Sequence, residues 1–420
     1  MLIRTKGFLP YLIIVFLNAF IDLGHKIIVQ NTVFKIYDGQ QQIILTAIVN
    51  ALILLPFILL LTPAGYCSDK FPKNKVMTFT SLKAVILTLL ITLFYFLGWF
   101  WPAFAMTFLL AVQSAFYSPA KYGFIREMVE TKEIARANGI VQAVTTIAIL
   151  AGIFVFSILF ETLLTDHSYT ISSDVLKLIA PAGFVLVGLS FFQFCIARKL
   201  PQQKQTNQAL RFNWQKYRTG DYLKNNMTDV FRHRLIYLSV FGLSLFWAIS
   251  QVMLASFPAY AKEALNVENT IIIQGTMACA GIGIMLGAVI AGQISKNKIE
   301  TRLLPFAVFG IAMCLIILPY LPNSIYQAVN FLFWGLCGGL LLTPYNALVQ
   351  FHAPEKALGR ILAGNNFIQN ITMLLFLAMT VFFAISGMGS EGLFIILIVL
   401  ALCVALPLAI KVHYIAKQSQ

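Results

Sequence analysis

Residues 84–97 read AVILTLLITLFYFL and carry no charged side chain. A helix that crosses the hydrocarbon core of a bilayer needs roughly 20 mostly apolar residues, and the longer stretch at 75–97 reaches that length. Eleven further stretches of the 420 residues do the same, so the sequence predicts an all-α polytopic membrane protein. The twelve predicted spans are 8–33, 43–67, 75–97, 100–121, 134–160, 175–197, 235–261, 270–294, 303–321, 324–349, 358–386 and 391–411.

The positive charge of the chain lies almost wholly on one side of these spans. The 30 Lys and Arg residues fall mainly in the amino-terminal tail, the even-numbered loops and the carboxyl-terminal tail, whereas Lys35, Lys177 and Lys262 fall on the opposite side. Such an excess marks the cytoplasmic face, which predicts that both termini are cytoplasmic. The net charge of +14 therefore reflects topology and contact with membrane lipids, and nucleic acid is not an expected partner.

Sequence motifs for catalysis, nucleotides and metals are missing. The six cysteines are scattered without a CxxC pair, the five histidines form no HExxH motif, and no P-loop, GxSxG or dinucleotide fingerprint occurs. These patterns predict no enzyme, no catalytic residue, no cofactor, no metal site and no disulfide framework. ATP-driven transport would need another chain.

The two halves of the chain resemble each other. Three landmarks recur at offsets of 225 or 227 residues, and such register favours duplication over chance similarity of Gly and Pro. They are Ser118-Pro119 with Thr343-Pro344, Gly139 with Gly364, and Gly65 with Gly292. We predict two pseudo-symmetric six-helix halves, 1–198 and 235–420, which suit alternating access. A polar cytoplasmic linker, 199–234, would join them and hold one short amphipathic helix around Phe212–Tyr222.

The first predicted span carries a polar stripe. Asp22 lies near its middle, and Asn18, His25, Lys26 and Gln30 lie at helical spacing along the same stripe. A lone charge at mid-membrane costs about 2.5–3.5 kcal/mol on insertion scales, so it needs a partner or a wet cavity. Because Lys26 lies one turn after Asp22, we predict that the two form an ion pair. The pair would line a substrate cavity or, alternatively, hold the helix in the bundle. His25 would serve the cavity or simply hydrogen-bond a neighbouring helix.

Two lysines at membrane depth are candidate phosphate ligands. Lys83 lies two turns into the third predicted span, and Lys121 follows Tyr117 and Pro119 at the end of the fourth. A proline inside a helix bends it, which would turn Tyr117 and Lys121 towards the cavity. The alternatives are that Lys83 extends to the cytoplasmic face and that Lys121 caps a helix end.

The second half offers amides where the first half offers charges. The predicted cavity residues are Trp247 and Gln251 in the seventh span, Asn346 in the tenth, and Asn366, Gln369 and Asn370 in the eleventh. Amides at membrane depth either line a cavity or bond neighbouring helices to one another, and the second role is the commoner one.

The loop after the second predicted span is a candidate gate. Gly65 is followed four residues later by Asp69 and then by a basic cluster that ends at Lys75. This resembles the loop signature of the major facilitator superfamily, although a Pro and an Asn interrupt the basic run. Gly65 would permit close helix packing. Asp69 would cap the start of the eleventh span near Arg360 and hold the cytoplasmic gate closed. An ordinary solvated turn is the alternative.

The fourth span and the start of the fifth point to a narrower resemblance. Residues 115–124, AFYSPAKYGF, and 136–142, RANGIVQ, resemble the bacterial lysophospholipid transporter (LplT-like) family, and weaker similarity covers the whole chain. Residues 257–263 and 298–300 look closer to the transporter domains that are fused to phospholipid acyltransferases. Asp22, Lys83 and Lys121 match charges of the family. The chain has Leu254 where some members carry an Arg, so Lys26 would have to replace that partner of Asp22.

The resemblance implies a lysophospholipid flippase of the bacterial inner membrane. It would move its substrate to the cytoplasmic leaflet for reacylation by a cytoplasmic acyltransferase, and we expect a monomer. A zwitterion with a phosphate and an amine would find complements in Asp22 and the lysines. One alternative is a proton-coupled transporter of a small amphiphile, drug or siderophore, with Asp22 as the proton carrier. A second alternative is a non-transporting membrane partner that docks an acyltransferase through the basic linker.

The gate hypothesis predicts the effect of Asp69→Asn. Loss of the carboxylate should loosen the cytoplasmic closure and raise, several-fold, the labelling by an impermeant cytoplasmic thiol reagent of a cysteine placed at Gln251 in a cysteine-free background. Lys70→Gln, which changes the charge of the same loop, is the control and should leave labelling unchanged. Equal labelling of the Asp69→Asn variant and its parent would count against the gate.

Overall fold

The computed structural model describes residues 7–129, 134–201, 213–295, 299–354 and 358–419. Every regular element within these ranges is helical, which confirms the predicted all-α membrane fold. The α-helices are α1 Phe8–Ile36, α2 Gly39–Leu59, α3 Leu61–Lys70, α4 Lys73–Leu97, α5 Phe100–Met128, α6 Ile134–Leu164, α7 Ser172–Ile179, α8 Pro181–Ala197, α9 Trp214–Arg218, α10 Asp221–Phe231, α11 Arg234–Leu265, α12 Thr270–Ile294, α13 Leu303–Ile317, α14 Ser324–His352, α15 Leu358–Ile385, α16 Ser390–Leu400 and α17 Leu406–Ser419. A π-helical turn, Ala401–Ala405, connects the last two.

Eleven helical segments of the described chain are long and apolar enough to cross a membrane. The remaining predicted span, the sixth (175–197), corresponds to α7 and α8, which are bent by 53° relative to each other and count as one span if the pair is taken together. Pro181 is the first residue of α8. Because proline has no backbone N–H, it cannot continue the hydrogen bonding of the preceding helix, which explains the break. The predicted second span, 43–67, is also interrupted, since α2 ends at Leu59 and α3 begins at Leu61.

Contacts divide the chain into two compact units. The first contains Met1–Ile36 and Leu52–Trp214, and the second contains Tyr37–Ala51 and Gln215–Gln420. The start of α2 therefore packs with the second unit, where the Lys262 Nζ lies 2.6 Å from the Asp38 Oδ1. The boundaries expected at residues 198 and 234 stay a prediction.

In the first unit, α1 packs against α5, α6 and α8. Phe8 and Tyr11 of α1 are fully buried in an apolar cluster with residues of α4, α5 and α6. The Tyr11 hydroxyl donates a hydrogen bond to the Lys121 carbonyl oxygen (2.8 Å). Two ion pairs also join helices of this unit: Lys35 of α1 with Glu161 of α6 (Nζ–Oε2, 3.0 Å), and Lys73 of α4 with Glu127 of α5.

In the second unit, α12 and α14 approach so closely that their backbones touch. Gly283 and Gly287 of α12 face Gly335 and Gly339 of α14, and a side chain at any of the four would overlap backbone atoms of the opposite helix. Pairs of small residues four apart allow this geometry in membrane helices, where packing replaces the hydrophobic effect between helices. Both glycine pairs are present in the sequence, but they were not among the predicted features.

Two smaller features bear on the predictions. A Cβ atom at Gly65 or at Gly292 would meet no described atom within 4 Å, and the gating role of Gly65 stays a prediction. One helix was predicted in the linker, whereas the structure has two short ones, α9 and α10. Gly220 lies between them with φ 74°, a left-handed conformation that glycine adopts without strain. Residues 202–212, which include the predicted start of the linker helix at Phe212, lie outside the described part of the chain.

The glycine contact between α12 and α14 predicts opposite effects for two identical substitutions. Gly335→Ala forces a methyl group onto the Ala280 carbonyl oxygen, and overpacking of this kind costs about 1–3 kcal/mol. Gly188→Ala, in α8 with no described atom within 4 Å of its Cβ position, should be neutral or stabilising. Thermal unfolding in detergent should show a lower midpoint for Gly335→Ala only. Equal midpoints for the two variants would contradict the tight contact.

Candidate functional site

Asp22 lies in the middle of α1, half-buried, and its carboxylate is held by two neighbours. Its Oδ2 accepts hydrogen bonds from the Asn18 Nδ2 (3.1 Å) and from the Ser114 Oγ of α5. Its Oδ1 has no hydrogen-bond partner among the described residues. One oxygen of the carboxylate is therefore positioned by the protein, and the other is left to a ligand, a proton or water.

Asn18 is the centre of the surrounding polar network. Its Oδ1 accepts from the Gln113 Nε2 (3.3 Å) and the Gln193 Nε2 (3.3 Å), and its Nδ2 also contacts the Ser114 Oγ (3.2 Å). Gln193 donates in addition to the Ser81 Oγ (3.2 Å). These bonds connect α1, α4, α5 and α8 inside the first unit.

The sequence predicted Asn18 and Asp22 as polar groups of the first span but did not predict their partners in this network. The available signal was that Gln113 and Gln193 are polar side chains inside apolar stretches, which rarely occurs without an interhelical hydrogen bond. Ser81 and Ser114 gave no such signal, since serine also bonds its own helix.

Tyr117 and Lys121 of α5 bring a hydroxyl and an ammonium group towards Asp22. Ser114, Tyr117 and Lys121 follow at intervals of three and four residues, so they share one face of α5. The Lys121 ammonium attracts the Asp22 carboxylate without a direct ion pair, and lies 4.6 Å from the centre of the Tyr122 ring. The buried Tyr117 hydroxyl also interacts electrostatically with Asp22 and has no hydrogen-bond partner among the described atoms. The site thus joins a carboxylate, an unsatisfied hydroxyl and a cation.

The predicted ion pair between Asp22 and Lys26 is not formed in this structure. Instead, Asp22 accepts hydrogen bonds from Asn18, one helical turn earlier, and from Ser114. Lys26 is half-buried and has no ion-pair partner in the described ranges. His25 makes the interhelical bonds that were one of its two expected roles. Its Nδ1 lies 2.7 Å from the Tyr95 hydroxyl of α4, and its Nε2 lies 3.3 Å from the Thr107 Oγ1 of α5.

Lys83 is separate from the Asp22 network. Its side chain is exposed on α4, where its ammonium lies 5.2 Å from the centre of the Phe79 ring. The sequence grouped Lys83 with Lys121 as a phosphate ligand of one cavity. The structure brings Lys121 and Tyr117 towards Asp22 and leaves the Lys83 side chain exposed on the surface of the first unit.

The predicted residues of the second unit bond mainly within their own helices. The Asn346 Nδ2 donates to the Leu342 carbonyl oxygen (2.9 Å), the Gln369 Nε2 to the Asn365 Oδ1 (2.7 Å), and the Asn370 Nδ2 to the Asn366 carbonyl oxygen (2.7 Å). These amides therefore form no interhelical bond in the described structure. Their cavity role stays a prediction.

Two further predicted cavity residues lie on α11. Trp247 is half-buried and packs edge-on against Phe246, with ring centres 5.4 Å apart. The buried Gln251 Oε1 has no partner among the described atoms.

The gate residues lie largely outside what the structure describes. Asp69 belongs to α3 and Arg360 to α15, but their side chains are not among the described ones. The gate formed by Asp69 and Arg360 stays a prediction. In the described ranges, no group of three His, Cys, Asp or Glu side chains is placed to hold a metal ion.

Comparison with known proteins identifies the family of the chain. The sequence model of the Major Facilitator Superfamily matches residues 11–377. The chain belongs to the major facilitator superfamily. Comparison with solved structures shows the same fold. The chain superimposes with a TM-score of 0.71 on a POT family transporter in complex with 5-aminolevulinic acid, at 12% identity and with 99% of this chain and 96% of that chain covered. A bacterial homologue of the human lysosomal transporter Spinster gives a TM-score of 0.64 at 11% identity, with 99% and 97% covered.

Several relatives with higher sequence identity to this major facilitator chain share the name lysophospholipid transporter LplT. The lysophospholipid transporter LplT of Photorhabdus laumondii is 28% identical over 382 residues, which cover 89% of this chain and 88% of the relative. The LplT of Citrobacter koseri is 27% identical over 383 residues, with 90% and 88% covered. The LplT of Salmonella arizonae is 26% identical over 385 residues, with 90% and 88% covered. The resemblance predicted from the motif at 115–124 is therefore confirmed.

The network around Asn18 predicts a difference between two Asn→Ala variants of this major facilitator chain. Asn18→Ala removes the Oδ1 that accepts from the Gln113 and Gln193 amides and the Nδ2 that contacts Ser114, and each buried polar group left unsatisfied costs about 1–3 kcal/mol. Asn366→Ala is the control, because Asn366 is exposed and its side chain bonds no other described residue. Detergent unfolding should show clear destabilisation of Asn18→Ala alone. A midpoint equal to that of the control would contradict the central role of Asn18.

Proposed function

We propose that the protein is a lysophospholipid transporter of the bacterial inner membrane, and that it moves its substrate to the cytoplasmic leaflet by alternating access. The observation that carries the proposal is geometric. Ser114 donates a hydrogen bond to Asp22 from the face of α5 that also carries Tyr117 and Lys121, so a carboxylate, a hydroxyl and an ammonium group share one site at membrane depth. The similarity over about nine-tenths of the chain to transporters named for lysophospholipid supports the same substrate class.

The headgroup of a lysophospholipid with a cationic amine fits the three groups. Its amine would approach the free Oδ1 of Asp22, and its phosphate would accept from Lys121 and from the unsatisfied Tyr117 hydroxyl. Hydrogen bonds to charged groups are the strongest available, and both partners would otherwise be unsatisfied away from water. Lys26, which is half-buried one turn further along α1, offers a second cation for the phosphate.

A proton-coupled transporter of a small amphiphile, drug or siderophore is the second candidate. The free Oδ1 of Asp22 favours it, because a carboxylate with one open oxygen at membrane depth can take up and release a proton. A pH gradient would then drive uptake, whereas lysophospholipid movement would not require Asp22 to titrate.

The further parts of the proposal concern topology and partners. Both termini would be cytoplasmic, since the basic residues lie on that side. The basic loops and linker would face a cytoplasmic acyltransferase that reacylates the product. The cytoplasmic gate would close through Asp69 and Arg360, and the amides Asn346, Asn366, Gln369 and Asn370 with Trp247 and Gln251 would line the cavity wall of the second unit.

The test is flipping of a fluorescent lysophospholipid in vesicles that hold the purified protein. Asp22→Asn and Lys121→Gln should each lower the rate about 10- to 100-fold, as expected from the loss of a charged hydrogen bond worth about 1.5–3 kcal/mol. Lys121→Arg should retain part of the rate, since it keeps the charge. Tyr117→Phe should show a smaller loss. Insertion of each variant is checked by size-exclusion chromatography.

The matched control for the lysine variants is Lys411→Gln in α17, an exposed lysine remote in sequence from the site. It should flip at the parent rate. Parent rates for both Asp22→Asn and Lys121→Gln would refute the site. Uptake of soluble amphiphiles that depends on a pH gradient, without flipping of lysophospholipid, would select the second candidate.

A further inference from the structure

The first unit carries a second feature, a groove of about 700 Å³ on its outer surface. This volume lies within the range of roughly 300–1,000 Å³ typical of small-molecule sites. The groove lies between α3, α4 and α5, and its walls are mostly apolar. The lining residues used below are Lys75, Phe79 and Lys83 of α4 and Leu109, Val112 and Gln113 of α5.

Two lysines are the cationic groups of this groove. Lys75, Phe79 and Lys83 follow at intervals of four residues, so they form one exposed stripe along α4. Lys83 lies ten residues after the first residue of α4, which places its Cα about 15 Å along the helix. Its ammonium lies over the Phe79 ring, one turn back, so it points towards Lys75 and the basic end of the helix.

The lysine at this depth needs an anion that the described protein does not supply. The neighbours of Lys83 on the same surface, Leu82, Ile86 and Leu90, are exposed apolar side chains, as expected of a face in contact with lipid. Neither Lys75 nor Lys83 has an ion-pair partner in the described ranges. A cation on a lipid-facing surface is costly unless it is paired or reaches the headgroup region.

Gln113 does not compete for a ligand in the groove. Its amide nitrogen donates inwards to the Asn18 Oδ1 (3.3 Å), and its Oε1 accepts from Ser114 (3.2 Å). The groove therefore combines two unpaired cations at its basic end with an apolar trough along Leu109 and Val112. That combination complements an anionic headgroup and an acyl chain.

We propose that this groove binds one anionic phospholipid, with its phosphate between Lys75 and Lys83 and one acyl chain along Leu109 and Val112. The lipid belongs to the leaflet at the basic end of α4. The site is separate from Asp22, and it does not depend on the transported substrate. Through Gln113, the occupied groove lies against the polar network that holds Asp22 in place.

The test uses the full chain in phosphatidylcholine nanodiscs that contain a trace of phosphatidylglycerol with a photoreactive acyl chain. After illumination, mass spectrometry should locate the cross-link on the segments of α4 and α5 that line the groove. Lys75→Gln and Lys83→Gln should each lower labelling about fivefold, as expected for one lysine near an anionic lipid. A phosphatidylcholine probe with the same acyl chain should label the groove several-fold less.

A second pair of variants tests the trough independently of charge. Val112→Trp should block the groove and abolish labelling, whereas Leu93→Trp, at an exposed position of α4 that does not line the groove, should leave it unchanged. Excess inorganic phosphate should not displace the probe, because the acyl chain contributes to binding. If the two probes label the groove equally and neither lysine variant reduces labelling, the proposal is overturned. The groove would then be only an apolar surface in contact with bulk lipid. Displacement by inorganic phosphate would equally overturn the proposal. Flipping of lysophospholipid by the Val112→Trp variant is measured alongside, so failure of the groove and failure of the transport site are distinguished.

Discussion

Polar groups inside a membrane protein must be satisfied by the protein itself, and the first unit is built around that requirement. Hydrocarbon offers no hydrogen bonds, so a buried amide or carboxylate without a partner costs several kcal/mol. Asn18 bonds three helices directly, since its amide is shared between Gln113 of α5, Gln193 of α8 and the Asp22 carboxylate of α1, and Gln193 extends the network to Ser81 of α4. The same bonds that hold the bundle together also fix the direction in which Asp22 points.

The same requirement for partners explains the surroundings of the lysines in the first unit. Lys35 and Lys73 meet glutamates of neighbouring helices and become structural. The Lys121 ammonium interacts electrostatically with the Asp22 carboxylate but forms no direct ion pair with it. Lys83 faces outwards. Four lysines of similar appearance in the sequence thus have three kinds of surroundings, and only Lys35 and Lys73 form ion pairs within the described protein.

The sequence predicted the spans well and the partners poorly, for physical reasons. Hydropathy depends on a sum over some 20 residues, so single errors average out, and the helices of the structure match the predicted spans with breaks at Leu60 and Ala180. A hydrogen-bond partner depends on one side chain of another helix, such as Ser114 for Asp22. Spacing along one helix favoured Lys26 instead, because a single sequence shows neighbours within a helix but not across helices.

The two units divide packing and chemistry between them. The second unit joins α12 to α14 through glycines that leave no room for side chains, and its predicted cavity amides mostly bond their own helices. The first unit holds the charged side chains of the proposed site, Asp22 and Lys121. Because Asp22, Tyr117 and Lys121 all belong to that unit, a rigid-body movement of one unit against the other leaves the distances among them unchanged. A headgroup bound by these three side chains, as proposed, would therefore keep its ligands during such a movement, which is compatible with rocking of the two halves around a fixed site.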